Sequence, residues 1–205
     1  YSQAGQDIFV NHLFKDPNRF FLDFGCGDGI NKPCWNNTMF LDQLGWNGIS
    51  IDINPDYINR FNQTRKTKAY CIDLTKVDIV KTMEEIGCPR SIDYFSFDID
   101  DATLRVLNNF PFDYFEFKFI TFEHDLYRGQ YALKAFSNKL FEDQGYRLLF
   151  ENVSFSGVRD NELVAVEDWY VNPKFFDYPC IKKGADSRSL IYEYEKFKDS
   201  IWKKL

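Results

Sequence analysis

A chain of 205 residues is long enough for one domain with a sizeable core, and 44% hydrophobic against 27% charged residues excludes a disordered polymer. A net charge of −6 with no basic patch argues against a nucleic-acid backbone as partner. No apolar run approaches the roughly 20 residues needed to span a bilayer, and no signal-peptide pattern is present.

The first residue is Tyr1 rather than Met, which suggests a single α/β domain over 1–205 that is either excised from a longer chain, leaving room for fused domains, or trimmed at its start. The five cysteines (Cys26, Cys34, Cys71, Cys88, Cys180) are odd in number and form no CxxC pair. They read as reduced thiols of a cytoplasmic, reducing compartment rather than a disulfide frame or zinc site. The sequons at Asn36, Asn62 and Asn152 are short enough to arise by chance. The 22 Phe and 12 Tyr fit either an aromatic core or a surface of stacking rings, and composition does not choose.

Short apolar runs alternate with helical-period segments, the pattern of βαβ units around a mostly parallel sheet. His12 shares an apolar helix face with Phe9 and Leu13 and reads as structural. The first strand is Phe20 to Phe24, ending in the turn Gly25-Cys26-Gly27-Asp28-Gly29. A helix over Asn37 to Leu44 and a strand over Gly48 to Ile53 come next. Asn54-Pro55 opens the next helix, with Pro at its first position. Lys68 to Ile72 is the third strand and Asp78 to Ile86 a helix, stopped by Gly87-Cys88-Pro89.

Ile92 to Phe97 is the fourth strand, Asp101 to Asn108 a helix, Phe112 to Phe122 a fifth strand and Tyr131 to Phe141 another helix. Gly145 to Asn152 and Glu162 to Val166 close the sheet as an antiparallel edge hairpin. The expected fold is therefore Rossmann-like, a mostly parallel seven-stranded sheet with helices on both faces. In the final segment Tyr194, Phe197, Ile201, Trp202 and Leu205 recur at helical spacing, as a core-docking face would.

In open α/β sheets ligands bind beyond the carboxyl ends of the strands, near the point where strand order reverses. Three such ends are glycine-rich or acidic: Asp23 to Gly29, then Asp52 after Ile49-Ser50-Ile51, then Asp73-Leu74 after Tyr70-Cys71-Ile72. Glycines let the backbone turn sharply and approach a ligand. Asp52 is placed to accept hydrogen bonds from ribose hydroxyls, and Asp73 to meet an adenine amino group. A dinucleotide fingerprint would need glycine at position 30, which is Ile30, and the charges of Asp23 and Asp28 would repel a diphosphate. They suit a cationic ligand such as S-adenosylmethionine. An NAD-linked oxidoreductase is accordingly the weaker expectation.

Taken in order, these segments resemble the FkbM-type methyltransferases from Tyr1 to about Pro173. Ser2-Gln3-Ala4-Gly5-Gln6-Asp7 is similar to the family's opening motif S-Q-x-G-E-D, with Gln6 where Glu is usual. Asp23 to Gly29 resembles its first nucleotide motif, and Asn37-Thr38, Leu41 and Leu44 to Gly48 its next helix and strand entry. Asp52-Ile53-Asn54-Pro55 matches its second acidic position, and Asp93 to Asp100 its D-x-x-x-x-D-V-E segment, with Asp100 for Glu. Glu162-Leu163 and Glu167 to Pro173 resemble its closing strand and tail. The resemblance implies an S-adenosylmethionine-dependent O-methyltransferase acting on a hydroxyl of a sugar or glycan. The cofactor-binding residues expected on that basis are Gln3, Asp23, Gly25, Cys26, Gly27, Asp52, Ile53, Asp73, Leu74 and Asp98.

Methyl transfer to an alcohol needs positioning and a proton acceptor. Asp98 and Asp100 at the fourth strand's end, and Glu123-His124-Asp125 at the fifth, can face each other across one crevice. His124, one of two histidines, is the expected base, with Asp98 and Glu123 beside it. The same three residues offer an oxygen/nitrogen set for Mg²⁺ or Mn²⁺. Asp100-Asp101 fits a helix N-cap equally well. Lys32, Trp35 and Asn36 are candidates for a lid or acceptor wall. The competing expectation is a catalytically silent domain that binds S-adenosylmethionine or acts as a scaffold.

Overall fold

The structure is a computed structural model that describes residues 2–14, 16, 18–29, 36–156, 163–176 and 182–183. The helical stripe expected after Ile191, together with Lys32, Trp35, Ile30, Cys34 and Cys180, lies outside these residues. Helix α1 (Gln6–Leu13) precedes β1 (Phe20–Phe24), and α2 (Met39–Gln43), β2 (Asn47–Asp52), α3 (Pro55–Thr64) and β3 (Lys68–Cys71) come after it. Next are α4 (Ile79–Glu85), β4 (Ser91–Phe97), α5 (Thr103–Asn108), β5 (Glu116–Glu123) and α6 (Tyr131–Asp143). The strands β6 (Arg147–Ser156), β7 (Leu163–Val171) and the two-residue β8 (Lys182–Lys183) complete the set.

The sheet runs β3-β2-β1-β4-β5-β7-β6-β8. Its first five strands are mutually parallel, while β7 is antiparallel to both β5 and β6. This is the expected mostly parallel sheet with an antiparallel pair toward one edge, and β8 adds a short strand beyond the seven expected. The chain winds outward through β1, β2 and β3, then crosses back to β4. The order therefore reverses between β1 and β4, where a ligand crevice is expected.

Strands buried on both faces need apolar residues on both faces. Along β1, Phe21 packs on one side with Phe9, Val10, Leu13, Tyr94, Phe119 and Trp169. Leu22 and Phe24 pack on the other with Phe95, Phe97, Phe110 and Phe117. Helices α4, α5 and α6 cover that second face, and α1 and α2 the first. The phenylalanines pack against one another: the rings of Phe95 and Phe117 stack at 4.5 Å, and Phe24 meets Phe95 edge-on at 5.0 Å. For the described residues the aromatic content is thus chiefly core.

Helix starts obey the expected chemistry. Asn54 Oδ1 accepts from the amides of Asp56 and Tyr57, with Pro55 at the first helical position, and Asp78 Oδ1 accepts from Lys81 N. Asp100 and Asp101 do not cap α5. They form a single 3₁₀ turn with Ala102, and no side chain caps the helix. The fifth strand starts at Glu116 rather than Phe112, because Tyr114 N closes a turn on Pro111 O at 3.0 Å. No helix among the described residues is long and apolar enough to cross a membrane.

Candidate functional site

The carboxyl ends of β1 to β5 open into one cleft of about 890 Å³. Its first wall is the turn after β1. Gly25 N and Cys26 N both donate to Ile51 O, at 2.8 and 3.3 Å, while Asp98 N donates to Phe24 O at 3.0 Å. The turn is thereby sewn to the ends of β2 and β4. A side chain at Gly25 cannot fit: its backbone has φ +83°, and a Cβ would lie 1.4 Å from Asp98 O. Gly27 differs, since its φ is +58° but a Cβ there would meet nothing within 4 Å.

Asp52, at the end of β2, accepts Gly27 N on Oδ2 and Asn54 N on Oδ1, each at 2.9 Å. Each oxygen keeps further lone-pair capacity on the cleft side. Asp73, beyond β3, is fixed by Thr75, whose hydroxyl donates to Oδ1 at 2.6 Å, and by Lys76 at 2.8 Å from Oδ2. The Lys76 hydrogen bond, then those of Thr75, hold its carboxyl down at about 2. Gln3, Cys26, Ile53 and Leu74 also line the cleft.

Asp98 and Glu123 line the cleft from β4 and β5. Burial raises both carboxyls, and a hydrogen bond between them favours charge on Asp98 while opposing it on Glu123. Both carboxyls are thus harder to ionise than usual, Glu123 more so, because the neighbouring charge of Asp98 adds to its burial. Behind it, Glu167 is paired across the strands with Glu123. Burial pushes Glu167 up to about 8, although Trp169 Nε1 donates to it at 2.8 Å and the Gln6 side chain also bonds to it. The opening segment is similarly knit: Ser2 Oγ donates to Asp7 Oδ1 at 2.8 Å, and Ala4 N donates to Gln6 Oε1 at 3.0 Å. That leaves Gln3 facing the cleft.

Two expected site residues lie off the cleft. Asp23 is buried beneath the β1 turn, where it accepts Thr38 Oγ1 at 2.7 Å, and burial raises it to about 6. It belongs to a network continued by Asn36 and Arg65, whose guanidinium meets Asp42 at 2.8 Å with both side chains 4% exposed. His124 is 0% exposed and is not among the cleft residues. Its Nδ1 accepts Leu126 N at 3.2 Å, so the ring proton sits on Nε2, which comes within 3.3 Å of Asp168 Oδ1 but without hydrogen-bond geometry. The structure thus puts the expected base inside the protein.

The expected metal set falls with it. Among the described residues no three His, Cys, Asp or Glu side chains are grouped to hold an ion, so Asp98, Glu123 and His124 do not form the anticipated Mg²⁺ or Mn²⁺ site. Asn36 does line the cleft, donating to Cys26 O at 2.8 Å. Asp93, in the same motif as Asp98, sits at the amino end of the sheet, where it takes Arg19 at 3.1 Å and Lys118 at 2.7 Å. Sequence reasoning missed Tyr57, Arg60, Tyr127 and Arg128 on the cleft wall. Nothing in their spacing marks them, since they sit in helix or turn positions that solvated residues also fill.

No protein-family profile matches the sequence, and no match was found among curated proteins. Solved structures do match in shape. A TehB-like S-adenosylmethionine-dependent methyltransferase from Corynebacterium glutamicum aligns with TM-score 0.53 and 17% identity, over 82% of this chain and 88% of the other. Magnesium protoporphyrin IX methyltransferase from Synechocystis PCC 6803, with bound S-adenosylmethionine, gives 0.53 and 15%, over 83% and 79%. The bifunctional kinase-methyltransferase WbdD gives 0.52 and 14%, over 85% of this chain and 38% of that one. The fold is that of the S-adenosylmethionine-dependent methyltransferases, Rossmann-like with the antiparallel pair beyond β5.

Proposed function

We propose that the protein is an S-adenosylmethionine-dependent methyltransferase whose acceptor is a hydroxyl of a sugar or glycan. One observation carries the cofactor assignment: three separate strand ends bring the Gly25–Gly27 turn, Asp52 and Asp73-Leu74 onto a single cleft at the point where strand order reverses. The donor set fits a cationic nucleoside. Six carboxyl side chains (Asp28, Asp52, Asp73, Asp98, Asp100, Glu123) line the cleft against two guanidiniums, Arg60 and Arg128. Arg60 is within 3.5 Å of Asp28. A diphosphate would meet net negative charge there.

In this proposal the β1 turn and Gln3 hold the methionine end, Asp52 the ribose, and Asp73 with Leu74 the adenine. When bound, S-adenosylmethionine supplies an electrophilic methyl group on a sulfonium. The chain's own task is to align an acceptor oxygen and take up its proton. Asp98, on the cleft beside Glu123 with burial raising its carboxyl, is the group placed for that second task. It replaces His124, which has no face on the cleft. The sugar acceptor is supported by the FkbM-type resemblance. The test is incubation with methyl-labelled S-adenosylmethionine and a panel of glycans, read by mass spectrometry. Label on a sugar oxygen is expected; label on nitrogen or carbon acceptors alone would overturn the O-methyl assignment.

A further inference from the structure

On the β4–β5 side of the cleft an ion pair bridges the two turns after Asp98 and Glu123. Arg128 Nη1 donates to Asp100 Oδ1 at 2.9 Å and to Asp125 Oδ2 at 3.0 Å. Three non-glycine residues have positive φ among the described residues, and two of them are these carboxylates, Asp100 at 49° and Asp125 at 51°. Left-handed backbone is uncommon for a residue with a Cβ, though Asp and Asn adopt it more readily than most, and such positions gather at functional sites. Here two such positions converge on one guanidinium. Asp100, Tyr127 and Arg128 all line the cleft.

Asp52 and Asp73 stand beyond β2 and β3, on one side of β1, whereas β4 and β5 lie on the other. If the nucleoside occupies the former side, the bridge faces the acceptor. The proposal therefore rests on the function proposed above. We propose that Asp100 and Arg128 set the charge of the acceptor: the pair admits a neutral polyol and turns away one bearing a carboxylate. Arg128 already faces two carboxylates, Asp100 and Asp125. Among the described residues that line this side of the cleft, Arg128 is the one cation, and both of its ion pairs are already made. A guanidinium beside a carboxylate instead offers a donor next to an acceptor, which matches adjacent hydroxyls, one accepting and one donating. The Tyr127 ring, 5.4 Å from the guanidinium carbon, supplies an apolar surface alongside.

The test uses the whole chain saturated with S-adenosylhomocysteine, confirmed by calorimetry. A pool of methyl glycosides of neutral hexoses and a matched pool of uronates are screened by saturation-transfer NMR. Neutral glycosides are expected to show transfer, and uronates little. Asp100→Asn keeps a residue that tolerates the left-handed backbone but removes one negative charge. It should move the preference toward uronates by about two- to fivefold, the range for a solvent-exposed ion pair. Equal or stronger uronate binding by the unaltered protein, no binding by either pool, or an unchanged ratio in Asp100→Asn would overturn the charge filter while leaving the methyltransferase proposal intact. Failure of S-adenosylhomocysteine itself to bind would bring down both.

Discussion

Gly25 and Gly27 stand two residues apart in the same turn, both with positive φ, and alanine should affect them very differently. At Gly25 the new Cβ would sit 1.4 Å from Asp98 O and 2.6 Å from Asp98 C. These are backbone atoms, and Asp98 N is itself tied to Phe24 O, so no side-chain rotation relieves the clash. The left-handed backbone costs about 1–2 kcal/mol, and forcing β1 and β4 apart adds about 1–3 kcal/mol. Gly25→Ala should therefore destabilise the fold by about 2–5 kcal/mol, out of a total stability of about 5–15 kcal/mol. Gly27→Ala carries the backbone cost alone, about 1–2 kcal/mol, because a Cβ there meets nothing within 4 Å. Urea unfolding of both variants measures the gap. Equal losses, or a Gly25→Ala cost below about 1 kcal/mol, would refute the claim that the turn is closed onto β4.

Two further outcomes concern groups buried around the cleft. His124→Ala should lower unfolding stability by about 2–4 kcal/mol by opening a cavity and stripping Leu126 N and Asp168 of a neighbour; a variant of unchanged stability but lost turnover would restore His124 as a catalytic group. Glu167, raised from the usual carboxyl value to about 8, binds a proton in the folded state that the unfolded chain has released above about 4.5. Its contribution is complete below the unfolded value and is lost as pH rises through the folded one, so stability should decline between about pH 4.5 and 8. Glu167→Gln should flatten that decline in denaturation series run across the window, and an unaltered slope would show that Glu167 is not held neutral.

Hydrophobic runs made the parallel half of the sheet legible. Phe20 to Phe24 is found with the expected bounds, β2 starts and ends one residue earlier than expected, β3 ends one residue earlier and β4 starts one residue earlier. Such strands are buried on both faces, so an apolar run is their direct signature. The antiparallel part was harder, because Glu167 and Asp168 stand inside β7 as buried side chains where a strand reading expects apolar ones. The acids at strand ends were legible because the fold puts ligands there, and Asp52, Asp73, Asp98 and Glu123 do share the cleft. What the sequence hid was direction. Successive residues at a strand end point to opposite sides, so Glu123 faces the cleft while His124 turns inward to Leu126 and Asp168. For Asp23, likewise, proximity to the glycine turn was legible but not its place beneath that turn, against Thr38.

A calorimetric titration of the protein with S-adenosylhomocysteine, repeated with NAD, tests the cleft most directly. Binding of the sulfur nucleoside is predicted, weakened about ten- to hundredfold in Asp52→Ala through loss of charge-assisted hydrogen bonds, with no measurable heat from NAD. Binding of NAD in preference, or affinity for S-adenosylhomocysteine that Asp52→Ala leaves unchanged, would contradict the assignment of this cleft.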